Sequence, residues 1–158
     1  MGLAMAQQLL RPGHALVCIS RHRNPDLADM ATRASATLEQ WEQDLSHGEQ
    51  AAHTLRSWLT AQGPTAFASA TLINNAGVIP RIAPLSASDP ADLANALRVG
   101  LEAPMQLTAA FLGATDTWAV PRKVLNISSG LGRRAMASQA AYCAAKAGMD
   151  HFTRCVAL

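Results

Sequence analysis

Tyrosine is nearly missing from this chain, which has a single one, Tyr142, among 158 residues. Aromatic residues total only 4%, so a core must come from close contacts between small aliphatic side chains. Charged residues are scarce too, at 15% against 49% hydrophobic, which argues against intrinsic disorder. A net charge of +2 is too small to mark a nucleic-acid binder, and any basic partner site has to be local. Cys18, Cys143 and Cys155 form no CxxC pair and cannot make a disulfide framework. The histidines show no HExxH-type spacing, so no metal site is expected. No apolar run approaches the roughly 18 residues of a membrane span, and no basic-then-apolar leader opens the chain. These absences point to a reduced, cytoplasmic protein with neither a membrane nor a nucleic-acid partner.

What is present alternates helical segments with short apolar strands. Residues 2–11 read as a helix stopped by Arg11-Pro12-Gly13, and Ala15 to Ile19 as a buried strand ending at Ser20-Arg21. Asn24-Pro25 opens a helix to about Arg33, and Thr37 to Gln43 is a second strand. Ser46 and Glu49 have capping-box spacing for a helix running to about Ala61. Thr71 to Ile73 is a third strand, running into Asn74-Asn75-Ala76-Gly77. Asp89-Pro90 starts a helix expected to reach Leu112, with a kink at Pro104. Lys123 to Ser128 is a fourth strand, followed by a Gly130/Gly132 loop and a last helix carrying Tyr142. Residues 1–158 are expected to form one domain, an α/β fold with a doubly wound parallel sheet.

Tyr142 and Lys146 stand four residues apart, on one face of that last helix. A neighbouring ammonium favours phenolate, and a tyrosine tuned this way can give a proton to a carbonyl oxygen or take one from an alcohol. Alone, the pair reads equally well as a buried phenol beside a solvated lysine. Ser129, thirteen residues earlier, lies at a strand end where parallel sheets place their ligands. Its hydroxyl can bond the oxygen on which charge develops. Asn74-Asn75-Ala76-Gly77 ends another strand, and its small residues admit a cofactor close to the backbone. The first strand ends without a carboxylate, in Ser20 and then Arg21-His22-Arg23. Guanidinium groups there suit a 2′-phosphate, which favours NADP(H) over NAD(H). Arg133 and Arg134 follow Ser129 and could attract an anion, although exposed loop arginines are usually just solvated. Cys143 reads as a small apolar filler.

On NNAG at 74–77, NISSG at 126–130 and YCAAK at 142–146, the chain resembles the short-chain dehydrogenase/reductase family across essentially its whole length. The runs VLNISSGLGRR and AAYCAAKAGMDHFTRCVAL are most similar to its sepiapterin-reductase-like and benzil-reductase-like branch. The resemblance implies a Rossmann-like fold and a nicotinamide-dependent oxidoreductase acting on a small carbonyl or alcohol. It implies Tyr142 as acid/base, Ser129 orienting the carbonyl, and Lys146 binding the nicotinamide ribose and lowering the tyrosine pKa. It further implies cofactor contacts at Gly2, Ser20, Arg21, Asn75, Ala76 and Gly77, with Asp44-Leu45 against the adenine, and a homo-oligomer when complete.

The pattern is departed from in two places. Gly100 falls where the family usually has an asparagine whose water links the lysine to solvent, so that relay is expected to be weakened or rerouted. Met1-Gly2-Leu3-Ala4 resembles only the tail of the family's Thr-Gly-xxx-Gly-x-Gly loop. The first strand, central in the resemblance's sheet, and the C-terminal strands are therefore expected to be missing, leaving an incomplete fold. The alternative expectation is a non-catalytic remnant that serves in binding or interaction.

Overall fold

The computed structural model describes residues 1–158, which form two compact units, Met1–Leu45 and Ser46–Leu158. The first holds α1 (Gly2–Leu9), β1 (Ala15–Ser20), α2 (Pro25–Ala34) and β2 (Thr37–Glu42). The second holds α3 (Gly48–Gln62), β3 (Ala70–Asn74), α4 (Pro90–Leu97), α5 (Ala103–Ala114), β4 (Arg122–Asn126) and α6 (Ala140–Val156). β1 pairs with β2 and β3 with β4, both in parallel, each pair bridged by helical crossings as a βαβ sequence requires.

In the first unit, local chemistry sets the helix ends. Asn24 Oδ1 accepts from the Leu27 N–H at 3.1 Å and Pro25 opens α2 with its φ already helical. Ser35 closes it in the left-handed region at φ 52°, with Ala36 N–H reaching back to the Ala31 carbonyl at 3.0 Å. Ala6, Leu10, Leu27 and Ala31 form the core, with Leu16, Cys18 and Leu38 of the strands packed on it.

The second unit depends on close helix contacts between small residues. At Gly48 a Cβ would fall 2.8 Å from Ala103 Cα, so only glycine lets α3 lie this near α5. Leu55 and Leu59 of α3 and Leu107 and Phe111 of α5 are buried farther along the two helices. Trp58 stacks on Phe67 with ring centroids 6.1 Å apart, and Trp118 meets the same ring at a tilt, 6.0 Å away.

Two expected helix features are corrected. The cap expected at Ser46 falls one residue later: a 3₁₀ turn, Leu45–His47, precedes α3, and His47 is its N-cap without a side-chain cap bond. The helix expected from Asp89 to Leu112 is interrupted upstream of Pro104, by a π-helical segment at Arg98–Glu102. Pro104 has no N–H, so the Gly100 carbonyl cannot receive the usual bond from four residues on, and the Ala103 N–H instead reaches Arg98 O. The N-cap at Asp89 stands as expected, its Oδ1 accepting from the Ala91 N–H at 2.8 Å.

Candidate active site

Parallel pairing puts the C-terminal ends of β3 and β4 at one edge, in a register that sets Asn74 beside Asn126. The chain leaves β3 into Asn75-Ala76-Gly77 and leaves β4 into Ile127-Ser128-Ser129, while α6 brings Tyr142 and Lys146 to the same place. Lys146 is only 4% exposed, and its Nζ donates to the Ile127 carbonyl at 2.7 Å. Nζ lies 5.8 Å from the centroid of the half-buried Tyr142 ring, within cation–π reach. A Cβ placed on Gly77 would be 3.7 Å from that nitrogen, so the turn after β3 also borders the ammonium. Burial pushes the Lys146 pKa below the ordinary lysine value, and Asp150, one turn along α6, offsets part of the shift.

Ser129 is half-buried, and its Oγ accepts from the Leu131 N–H at 3.2 Å, capping the 3₁₀ turn Gly130–Gly132. This bond uses the oxygen as acceptor and leaves the O–H free to donate. Lys146 likewise has donors to spare: of its three, one goes to Ile127 and a second makes only a weak 3.9 Å contact with Met149 Sδ.

Beneath these groups runs a line of polar contacts. Asn74 Nδ2 donates to Thr108 Oγ1 at 3.2 Å and to Asn126 Oδ1 at 2.7 Å; Asn126 Nδ2 donates to Thr153 Oγ1 at 2.7 Å. The Thr153 hydroxyl donates in turn to Met149 O at 2.7 Å, so the line ties both strand ends to α5 and α6. Next in the chain, the buried Oδ1 of Asn75 has no hydrogen-bond partner.

Five of the cofactor residues expected from the sequence lie in the first unit. Gly2 opens α1, Ser20 ends β1, and Asp44 and Leu45 follow β2. Ser20 Oγ donates to the His22 carbonyl at 2.8 Å. Arg23 pairs with Glu42 at 3.4 Å, whereas the exposed Arg21 forms no ion pair.

Gly100 is buried in the π-helical segment, where a Cβ would come within 3.1 Å of Ala145 Cβ. The position therefore brings α6 close and offers no polar side chain. An open cleft of about 760 Å³ in the second unit is lined by Ser129, Asn126, Arg133, Asp150, Thr153 and Arg154. Arg133 and Arg134 are both exposed.

Sequence reasoning missed Ile127, Asn126, Thr108 and Thr153. Ile127 acts through its carbonyl, which leaves no mark on residue identity. Asn126 becomes a partner of Asn74 only once β3 and β4 are in register, and Thr108 and Thr153 join only once α5 and α6 lie against those strands. That register is visible in retrospect as two strands that both end in asparagine.

The family model described as short chain dehydrogenase matches residues 1–158. The chain is 32% identical over 157 residues to a benzil reductase ((S)-benzoin forming) from Bacillus cereus, with 99% of this chain aligned to 63% of that protein's length. It therefore spans less than two thirds of that relative. Among solved structures, a short-chain dehydrogenase/reductase from Burkholderia vietnamiensis is 38% identical with a TM-score of 0.88, covering 100% of this chain and 71% of that one. A metagenomic short-chain oxidoreductase, solved in complex with NADP, is 30% identical with a TM-score of 0.85, covering 98% and 68%. These likenesses fix the architecture as the doubly wound, Rossmann-like α/β fold, of which the two parallel strand pairs are part.

Proposed function

This chain belongs to the short chain dehydrogenase family, and from that premise we propose that it carries the proton-handling site of an NADP(H)-dependent carbonyl reductase. The observation that carries the reading is the buried Lys146 ammonium, held by Ile127 O at 2.7 Å and lying 5.8 Å from the only tyrosine ring in the chain. In this reading Tyr142 gives its phenolic proton to the carbonyl oxygen as that oxygen gains charge. Lys146, kept positive beside the ring, stabilises the phenolate left behind. The free O–H of Ser129 donates to the same oxygen and so holds the carbonyl for attack. In the oxidative direction the three groups run in reverse, Tyr142 as phenolate taking the alcohol proton.

The residues present suit a nicotinamide cofactor. The unpartnered Asn75 Oδ1 is an acceptor waiting for a donor, and the bare backbone at Gly77 leaves room beside Lys146. The spare donor of Lys146 suits a ribose hydroxyl. When bound, the nicotinamide supplies the hydride. Gly2, Ser20, Asp44, Leu45, Asn75, Ala76 and Gly77 are assigned to cofactor contacts. Arg21, its guanidinium not taken by an ion pair, is assigned to the 2′-phosphate. NADP in a relative 30% identical supports that choice. Benzil is the substrate probe of choice, because a protein 32% identical is a benzil reductase.

The test is NADPH oxidation with benzil by the parent and by Tyr142→Phe. The substitution removes the proton donor and little else. Turnover should fall by about 10³-fold or more, while the NADPH dissociation constant changes less than about threefold. Turnover retained by Tyr142→Phe would reject the assigned acid.

A further inference from the structure

We propose that Gly132 is a positioning residue for this site, where the missing side chain lets the turn that carries Ser129 rest directly on the backbone of Lys146. A Cβ at Gly132 would lie 3.0 Å from both the carbonyl carbon and the oxygen of Lys146, and 2.8 Å from Asp150 Oδ2. The carboxylate can swing away, but the backbone of a helix interior cannot. Gly132 does not have a left-handed φ, so this close contact, rather than an unusual backbone conformation, is what requires glycine here.

Neither side of the contact has slack. On the turn side, the Gly132 N–H donates to Ser129 O at 3.0 Å, and the Leu131 N–H donates to Ser129 Oγ at 3.2 Å. The Arg133 and Arg134 N–H groups both reach Gly130 O, at 3.2 and 3.0 Å. A push at residue 132 is therefore passed on to Ser129. On the helix side, α6 is already pressed from elsewhere. A Cβ at Gly100 would come within 3.1 Å of Ala145 Cβ, and one at Gly148 would lie 2.8 Å from Leu101 Cδ2. At about 100° per residue, the Ala145/Gly148 face points roughly 150° away from the Lys146/Asp150 face. α6 is thus held between the Ser129 turn and the π-helical segment, and Lys146 Nζ is fastened to Ile127 O, two residues before Ser129. Any side chain at 132 must move the serine relative to Tyr142 by some tenths of an ångström. Displacements of that order are costly where a hydroxyl has to meet one oxygen atom.

The catalytic consequence rests on the reading given under Proposed function, and the packing does not. The test compares parent, Gly132→Ala and the double variant Gly132→Ala/Asp150→Ala in the full chain. It measures NADPH binding stoichiometry, benzil-dependent kcat and KM, and amide hydrogen exchange at residues 131–134. Gly132→Ala is expected to keep full NADPH stoichiometry with a dissociation constant within about twofold. Its kcat is expected to fall about tenfold, with faster exchange at the Leu131 and Gly132 positions. The double variant is expected to stay impaired, because the backbone contact persists. Unchanged kcat, a loss proportional to lost NADPH stoichiometry, or recovery in the double variant would each overturn the proposal. A parent without turnover would reject the reductase reading instead. The exchange data would then decide the packing: acceleration confined to the turn upholds it, and unchanged exchange removes it.

Discussion

Asn74 and Asn75 are adjacent, chemically identical and expected to respond to alanine in different directions. Asn74 is 5% exposed and gives both hydrogens of its amide, to Thr108 Oγ1 at 3.2 Å and Asn126 Oδ1 at 2.7 Å. Removing it strips two acceptors at once. A buried acceptor left unpaired costs about 1–3 kcal/mol. The Thr108 hydroxyl can rotate and Asn126 is only half-buried, so the lower half of that range applies to each, about 2–4 kcal/mol in all. At about 2–4 °C per kcal/mol for a chain of this size, Tm should fall by about 5–15 °C. Asn75→Ala deletes an oxygen that is already buried and unpartnered, so stability should stay within about 0.5 kcal/mol of the parent or rise. Thermal and urea unfolding followed by far-UV circular dichroism measure both. The reasoning fails if the two variants lose stability equally, or if Asn74→Ala melts within about 2 °C of the parent. If Asn75 Oδ1 meets the cofactor, saturating NADPH should raise the Tm of Asn75→Ala less than that of the parent.

Arg21→Ala should raise the dissociation constant for NADPH by about tenfold while leaving that for NADH nearly unchanged, read by cofactor fluorescence. Equal weakening of both would take the 2′-phosphate away from Arg21. Lys146→Met removes a charge whose pKa is lower in the folded chain than in the unfolded one. The unfolded chain therefore binds that proton more readily, so the charge opposes folding at neutral pH. The opposition fades as pH rises from the lowered folded value towards about 10.4. Urea unfolding should accordingly favour Lys146→Met over the parent more at pH 7 than at pH 10, and the opposite trend would refute the burial argument.

What was legible in the sequence was local. Asn24-Pro25 and Asp89-Pro90 announce helix starts because a cap and its target amide lie within three residues, and both caps are present. Tyr142 and Lys146 were legible for the same reason, as one helix turn fixes their proximity. Pro104 was legible as a disturbance but not in its place, because the lost N–H is felt by the carbonyl four residues back. Contacts that cross the chain were not legible. A glycine reads alike whether it serves a turn, as Gly63 does at φ 81°, or a close approach, as Gly132 does. The Asn74–Asn126 bond needs a register that no single strand specifies.

The tryptophans divide between the units in a way that carries a practical consequence. Trp41 lies on β2, its Nε1 donating to Glu39 at 2.9 Å, while Trp58 and Trp118 flank Phe67 in the second unit. The molecule thus holds two optical reporters, one hydrogen-bonded to a carboxylate and one set among rings. A variant keeping only Trp41, followed beside one keeping only Trp58 and Trp118, separates the melting of residues 1–45 from that of residues 46–158. Whether this chain unfolds in one step or two then becomes a question that emission spectra can answer.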